Sequence, residues 1–95
     1  MNKYESVVII KSNLDEAGVK ELTAKYEKMI NNDGKVEKVD VQGAKKLAYP
    51  IKKNEEGIYV VYTYEAKTSL IAELERNLRI DDSVLKYMTV NITEK

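Results

Sequence analysis

Four extended, β-branched segments interleaved with two helical ones predict an α+β fold of order β-α-β-β-α-β. Three observations carry this. Apolar residues alternate through 4–10 and 58–65, they recur three and four apart through 15–32 and 68–79, and Gly, Pro or Asx-rich punctuation separates these runs.

The first strand, residues 4–10, sets Tyr4, Ser6, Val8 and Ile10 on one face and Glu5, Val7 and Ile9 on the other. Asp15 and Glu16 favour a helix N-terminus, and Val19, Leu22, Tyr26, Met29 and Ile30 make one stripe, so the first helix runs over 15–32. Asn32-Asp33-Gly34 predicts a left-handed stop. Alternating valines in 36–41 open the second strand, and Gly43 interrupts it as a bulge before 47–51 resume the extended pattern. Pro50 has no N–H for a ladder, which puts its strand at a sheet edge. Asn54-Glu55-Glu56-Gly57 is expected to turn the chain into the third strand, 58–65, whose better core set is Ile58, Val60, Tyr62 and Tyr64.

Thr68 or Ser69 is expected to cap a second helix that carries Leu70, Ile71, Leu74 and Leu78 on one stripe and Arg79 near its end. Asp81-Asp82-Ser83 breaks it. The last strand, 84–92, holds Val84 and Tyr87 apart from Met88, Val90 and Ile92 unless a bulge shifts its register. Right-handed crossovers then lay both helices on one face of a four-stranded antiparallel sheet, the ferredoxin-like arrangement.

The 95 residues suffice for one domain, 1–95, with a single core. With no cysteine and no histidine, disulfides, thiolate metal sites and the commonest general base are excluded. The four glycines fit no phosphate-binding loop, and the pairs Glu55-Glu56 and Asp81-Asp82 read as turn residues. The chain is expected to be a non-enzyme without metal or cofactor. No apolar run approaches a membrane span, and the composition suits the cytoplasm.

Formal charge is zero, yet residues 35–53 carry six basic and two acidic groups, or +4, between flanks of −1 (1–34) and −3 (54–95). Such a block is an electrostatic footprint for phosphate or a charged, solvated strand edge. The helices cover one sheet face only. On the other, Val7, Ile9, Tyr59, Val61, Met88 and Val90 would form an apolar patch larger than a monomer leaves wet, so a macromolecule is expected to dock there. Base stacking on the third strand fits poorly, since Glu56 precedes Gly57 and Ile58 stands where an aromatic is wanted. A homo-oligomeric regulatory or ligand-binding domain that pairs its open sheets is the alternative.

Gly43-Ala44-Lys45-Lys46-Leu47-Ala48-Tyr49-Pro50-Ile51, Tyr4-Glu5, and the run Leu78-Arg79-Ile80-Asp81-Asp82-Ser83-Val84-Leu85-Lys86-Tyr87 resemble bacterial small-subunit ribosomal protein six over essentially the whole chain. The resemblance implies a ferredoxin-like ribosomal protein that binds small-subunit ribosomal RNA together with small-subunit protein eighteen, monomeric off the ribosome. It implies RNA contacts at Lys3, Tyr4, Lys45, Lys46, Arg79 and Lys86, and the basic segment adds Lys52 and Lys53. Leu85 departs from the pattern, standing where many relatives carry a second basic residue, and the chain ends without the longer tail of some members.

Overall fold

Strand alternation and helix periodicity meet in one apolar core. In a computed structural model, which describes residues 2–51 and 53–93, the chain forms β1 (Asn2–Lys11), α1 (Glu16–Asp33), β2 (Gly34–Ile51), β3 (Asn54–Ala66), α2 (Thr68–Ile80) and β4 (Val84–Asn91). The strands make one antiparallel sheet in the order β2-β3-β1-β4. Tyr4, Val8 and Ile10 of β1 and Ile58, Val60, Tyr62 and Tyr64 of β3 pack against Tyr26 and Ile30 of α1 and Leu70, Leu74 and Leu78 of α2. Both helices therefore cover the same sheet face, as the connectivity requires. Polar groups inside this layer are paired: Ser6 Oγ lies 2.8 Å from both the Tyr64 hydroxyl and Thr89 Oγ1, and the Tyr62 hydroxyl donates to the Thr23 carbonyl at 3.1 Å.

The expected α1 start holds, with Asp15 Oδ1 accepting the Gly18 N–H at 2.7 Å as the N-cap. So do the Gly43 bulge, with φ +26°, and the edge position of Pro50 in β2. A bulge also lies in β4. Ile9 pairs with Lys86 and Ile10 with Val84, so Leu85 is the extra residue, and Val84 and Leu85 are buried in separate clusters.

Three local expectations are corrected. Gly34 is extended, φ −160°, and α1 passes into β2 with no intervening loop. Glycine is needed there because a Cβ would collide with the Glu65 carbonyl oxygen on the paired strand. The β2–β3 turn falls before Asn54: Ile51 pairs with Asn54, Lys53 takes φ +67°, and Glu56 and Gly57 lie in the ladder opposite Lys46 and Lys45. Finally, Lys67 rather than Thr68 or Ser69 is the N-cap of α2 and supplies no side-chain hydrogen bond; the Thr68 hydroxyl instead lies 3.3 Å from that of Tyr4.

Candidate nucleic-acid and protein interface

Register assigns the open face residue by residue. Four rows cross the sheet from β2, three of them as far as β4. Lys35, Glu65 and Lys3 make one; Lys38, Thr63, Glu5 and Val90 the next; then Asp40, Val61, Val7 and Met88; then Gln42, Tyr59, Ile9 and Lys86. The third row is apolar over β3, β1 and β4, and polarity gathers toward β2. Met88 and Val90 are 56% and 46% exposed, and Val7 and Val61 are half-buried.

Beyond Gly57, β2 and β3 continue as a hairpin arm. By alternation, Leu47, Tyr49 and Ile51 share one side of it. Leu47 is buried with Ile9 and Leu85, and Ile51 and Tyr59 pack against the three. Gly57 permits this closure, because a Cβ there would collide with Ile9 Cγ2 and stand 3.5 Å from Leu47 Cδ2. Tyr49 reaches the far edge of the sheet, its hydroxyl accepting a hydrogen bond from Lys86 Nζ at 3.2 Å. The placement of Ile9 on an uncovered face is thus corrected: it is 8% exposed, sealed by the chain's own arm and bulge. Of the six residues expected in the patch, Met88 and Val90 are exposed and Val7, Val61 and Tyr59 are half-buried, with Lys45 Nζ 5.5 Å from the Tyr59 ring centroid.

The basic residues divide between the two ends of the sheet. Lys45 lies at the arm end, where its ammonium also donates to Gln42 Oε1 at 2.9 Å. Lys86 is there too, over the Tyr49 ring, and shares with Arg79 a surface cleft of about 270 Å³ formed between the end of α2 and the start of β4. Lys46 and Lys53 are exposed on the arm, and Lys52 lies outside the described residues. Lys3 is not with them. It sits at the opposite end of β1, eight residues or about 27 Å from Lys11, ion-paired to Glu37 at 2.9 Å. Tyr4, beside it, is 6% exposed, faces the helix layer and stacks on Tyr64 at 5.9 Å, so its ring belongs to the core.

Sequence reasoning missed Tyr49 as the residue that carries the arm to Lys86. Its signal was the alternation of Leu47, Tyr49 and Ile51, which shows a common side without showing what that side meets. Among the described residues no cluster of acidic groups is arranged to hold a metal ion, and no helix is long and apolar enough to cross a membrane.

The profile of the family described as ribosomal protein S6 matches residues 3–91. Small ribosomal subunit protein bS6 of Alkaliphilus metalliredigens is 43% identical over 94 residues, spanning 99% of this chain and 100% of its own. The protein of the same name from Corynebacterium aurimucosum is 43% identical over 96 residues, covering both chains fully. The crystal structure of 30S ribosomal protein S6 from Thermotoga maritima superposes with a TM-score of 0.89 at 33% identity, over 95% of this chain and 86% of that one. These relatives are structural ribosomal proteins and not enzymes. With the strand order, the helix layer and nearly the full length in agreement, the chain belongs to the ribosomal protein S6 family of the bacterial small ribosomal subunit.

Proposed function

We propose that the chain is a structural element of the small subunit, held between small-subunit ribosomal RNA and a protein neighbour, small-subunit protein eighteen. The observation that supports this best is the row Val61, Val7 and Met88, apolar and uncovered, beside a cationic arm end carrying Lys45, Lys46, Lys53, Arg79 and Lys86. An apolar centre flanked by charge suits a protein partner on the face and phosphate at the margin. Lysine ammonium groups position the protein on the RNA backbone without reading sequence. Since net charge is zero, RNA affinity depends on the neighbour being in place.

Two variants test the two halves. Val61→Asp places a carboxylate in the apolar row and is expected to weaken association with protein eighteen at least tenfold, measured by calorimetry; unchanged affinity would remove the face from the interface. Lys45→Ala with Lys46→Ala is expected to lower the slope of log affinity against log salt by about one unit for each phosphate these ammonium groups neutralise, measured on the RNA complex with protein eighteen present. An unchanged slope would take both lysines out of it.

A further inference from the structure

The two edges of the sheet are protected very differently. β2 carries Lys35, Lys38, Lys45 and Lys46 along its length, has Pro50 near its end and is broken by register shifts at three places. These are the usual devices that stop another strand from pairing with an edge. β4 has its one bulge at its start, and after Lys86 the run Tyr87-Met88-Thr89-Val90-Asn91-Ile92 contains no charge and no proline. The ladder parity shows which backbone groups this edge offers. The Ile92 N–H donates to the Lys3 carbonyl at 2.8 Å, so Val90 and Met88 bond inward to Glu5 and Val7. The N–H and C=O groups of Tyr87, Thr89 and Asn91 therefore point outward, and among the described residues no strand pairs with them.

We propose that β4 is a strand-addition site, along which the protein neighbour lays an extended, uncharged segment. This rests on the reading that a protein docks on the open face, and it names how part of that partner binds. The side chain of Met88 ends the apolar row at this edge and Val90 stands beside it, so an added strand continues both on the same face. RNA is a poor occupant, because six uncharged residues offer phosphate no cation. A second copy is also poor. Pairing β4 with its own twin would cover the edge while leaving Val61 and Val7 of both copies wet, whereas one neighbour supplying both a strand and a packed body covers edge and face together.

Thr89→Pro removes one outward N–H and leaves the inward ladder to β1 intact; Thr89→Val is its control, losing the hydroxyl bond to Ser6 but keeping the N–H. With protein eighteen as the probe, Thr89→Pro is expected to bind about tenfold or more weakly than Thr89→Val. Hydrogen exchange on the wild-type chain reads the same point without a variant: Tyr87, Thr89 and Asn91 amides should exchange fast in the free protein and slow in the complex. Equal affinity of the two variants, or no added protection at these amides, overturns strand addition. If Val61→Asp still abolishes binding in that case, face docking survives. Protection that instead appears in the free protein and grows with its concentration identifies a second copy as the occupant and overturns the proposal.

Discussion

Tyr26 shows how much of the fold's cohesion is concentrated in single polar contacts. Its ring is buried, and its hydroxyl donates to Asp81 Oδ2 at 2.6 Å, tying the middle of α1 to the residue that ends α2. Asp81 also accepts the Ser83 N–H at 2.9 Å and faces Lys25 Nζ at 3.7 Å. Burial acts to raise the Asp81 pKa, but the hydrogen bonds from Tyr26 and Ser83 and the Lys25 charge outweigh it, leaving the carboxyl below its ordinary value. Burial, and then Asp81, push the Tyr26 hydroxyl well above its usual range, so it stays a donor. A carboxyl whose pKa is lowered by folding stabilises the native state above its unfolded pKa, and that contribution disappears as pH falls through the folded value. Tyr26→Phe is therefore expected to cost about 1–3 kcal/mol at neutral pH and to flatten the loss of stability below pH ~4. Urea unfolding at neutral and acid pH measures both; an equally steep acid limb in the variant would detach Asp81 from this effect. Gly57→Ala acts through packing instead. Its methyl meets Ile9, so it is expected to cost about 1–3 kcal/mol and to raise exchange in the arm around Leu47.

Elements were legible where their signal was periodic. The alternation of β1 and β3 and the three-and-four spacing of both helices survive in the structure because each marks one buried stripe. The boundaries that moved depend on contacts far away in sequence. The Gly34 conformation follows from Glu65 across the sheet, and the early β2–β3 turn from Glu56 and Gly57 being paired with Lys46 and Lys45. The candidate site was legible to the same degree. Val7, Val61, Met88 and Val90 fell where alternation put them, and so did Tyr4, inward with Val8 and Ile10, but the burial of Ile9 required an arm that curls over the sheet. The cap of α2 offers a test at this scale. Lys67 has extended dihedrals, φ −80° and ψ 152°, suited to a capping side chain it cannot supply, and it sets a positive charge on the positive end of the helix. Lys67→Asp is expected to stabilise the protein by about 0.5–1 kcal/mol, read from the thermal midpoint.

At the scale of the whole molecule, two helices cover one side of the sheet and the arm seals only one end of the other, leaving the middle rows open. On the function proposed above, the protein folds alone and is completed by contact with its neighbour. Sedimentation of the purified chain is expected to give a single monomeric species over a wide concentration range; a stable dimer would favour pairing of open sheets and count against a ribosomal neighbour.

Between Asp33 and Gly34 the chain has no slack. A loop absorbs an inserted amino acid, but this junction must take it up as a further bulge or pass it on as a one-step slip of β2 against β3. In a slip, Val36 and Val39 would rotate out toward water and Lys38 would rotate beneath α1. Length changes are therefore expected to be tolerated best in the turns, and the helix-to-strand joint acts as a reference point for the register of β2.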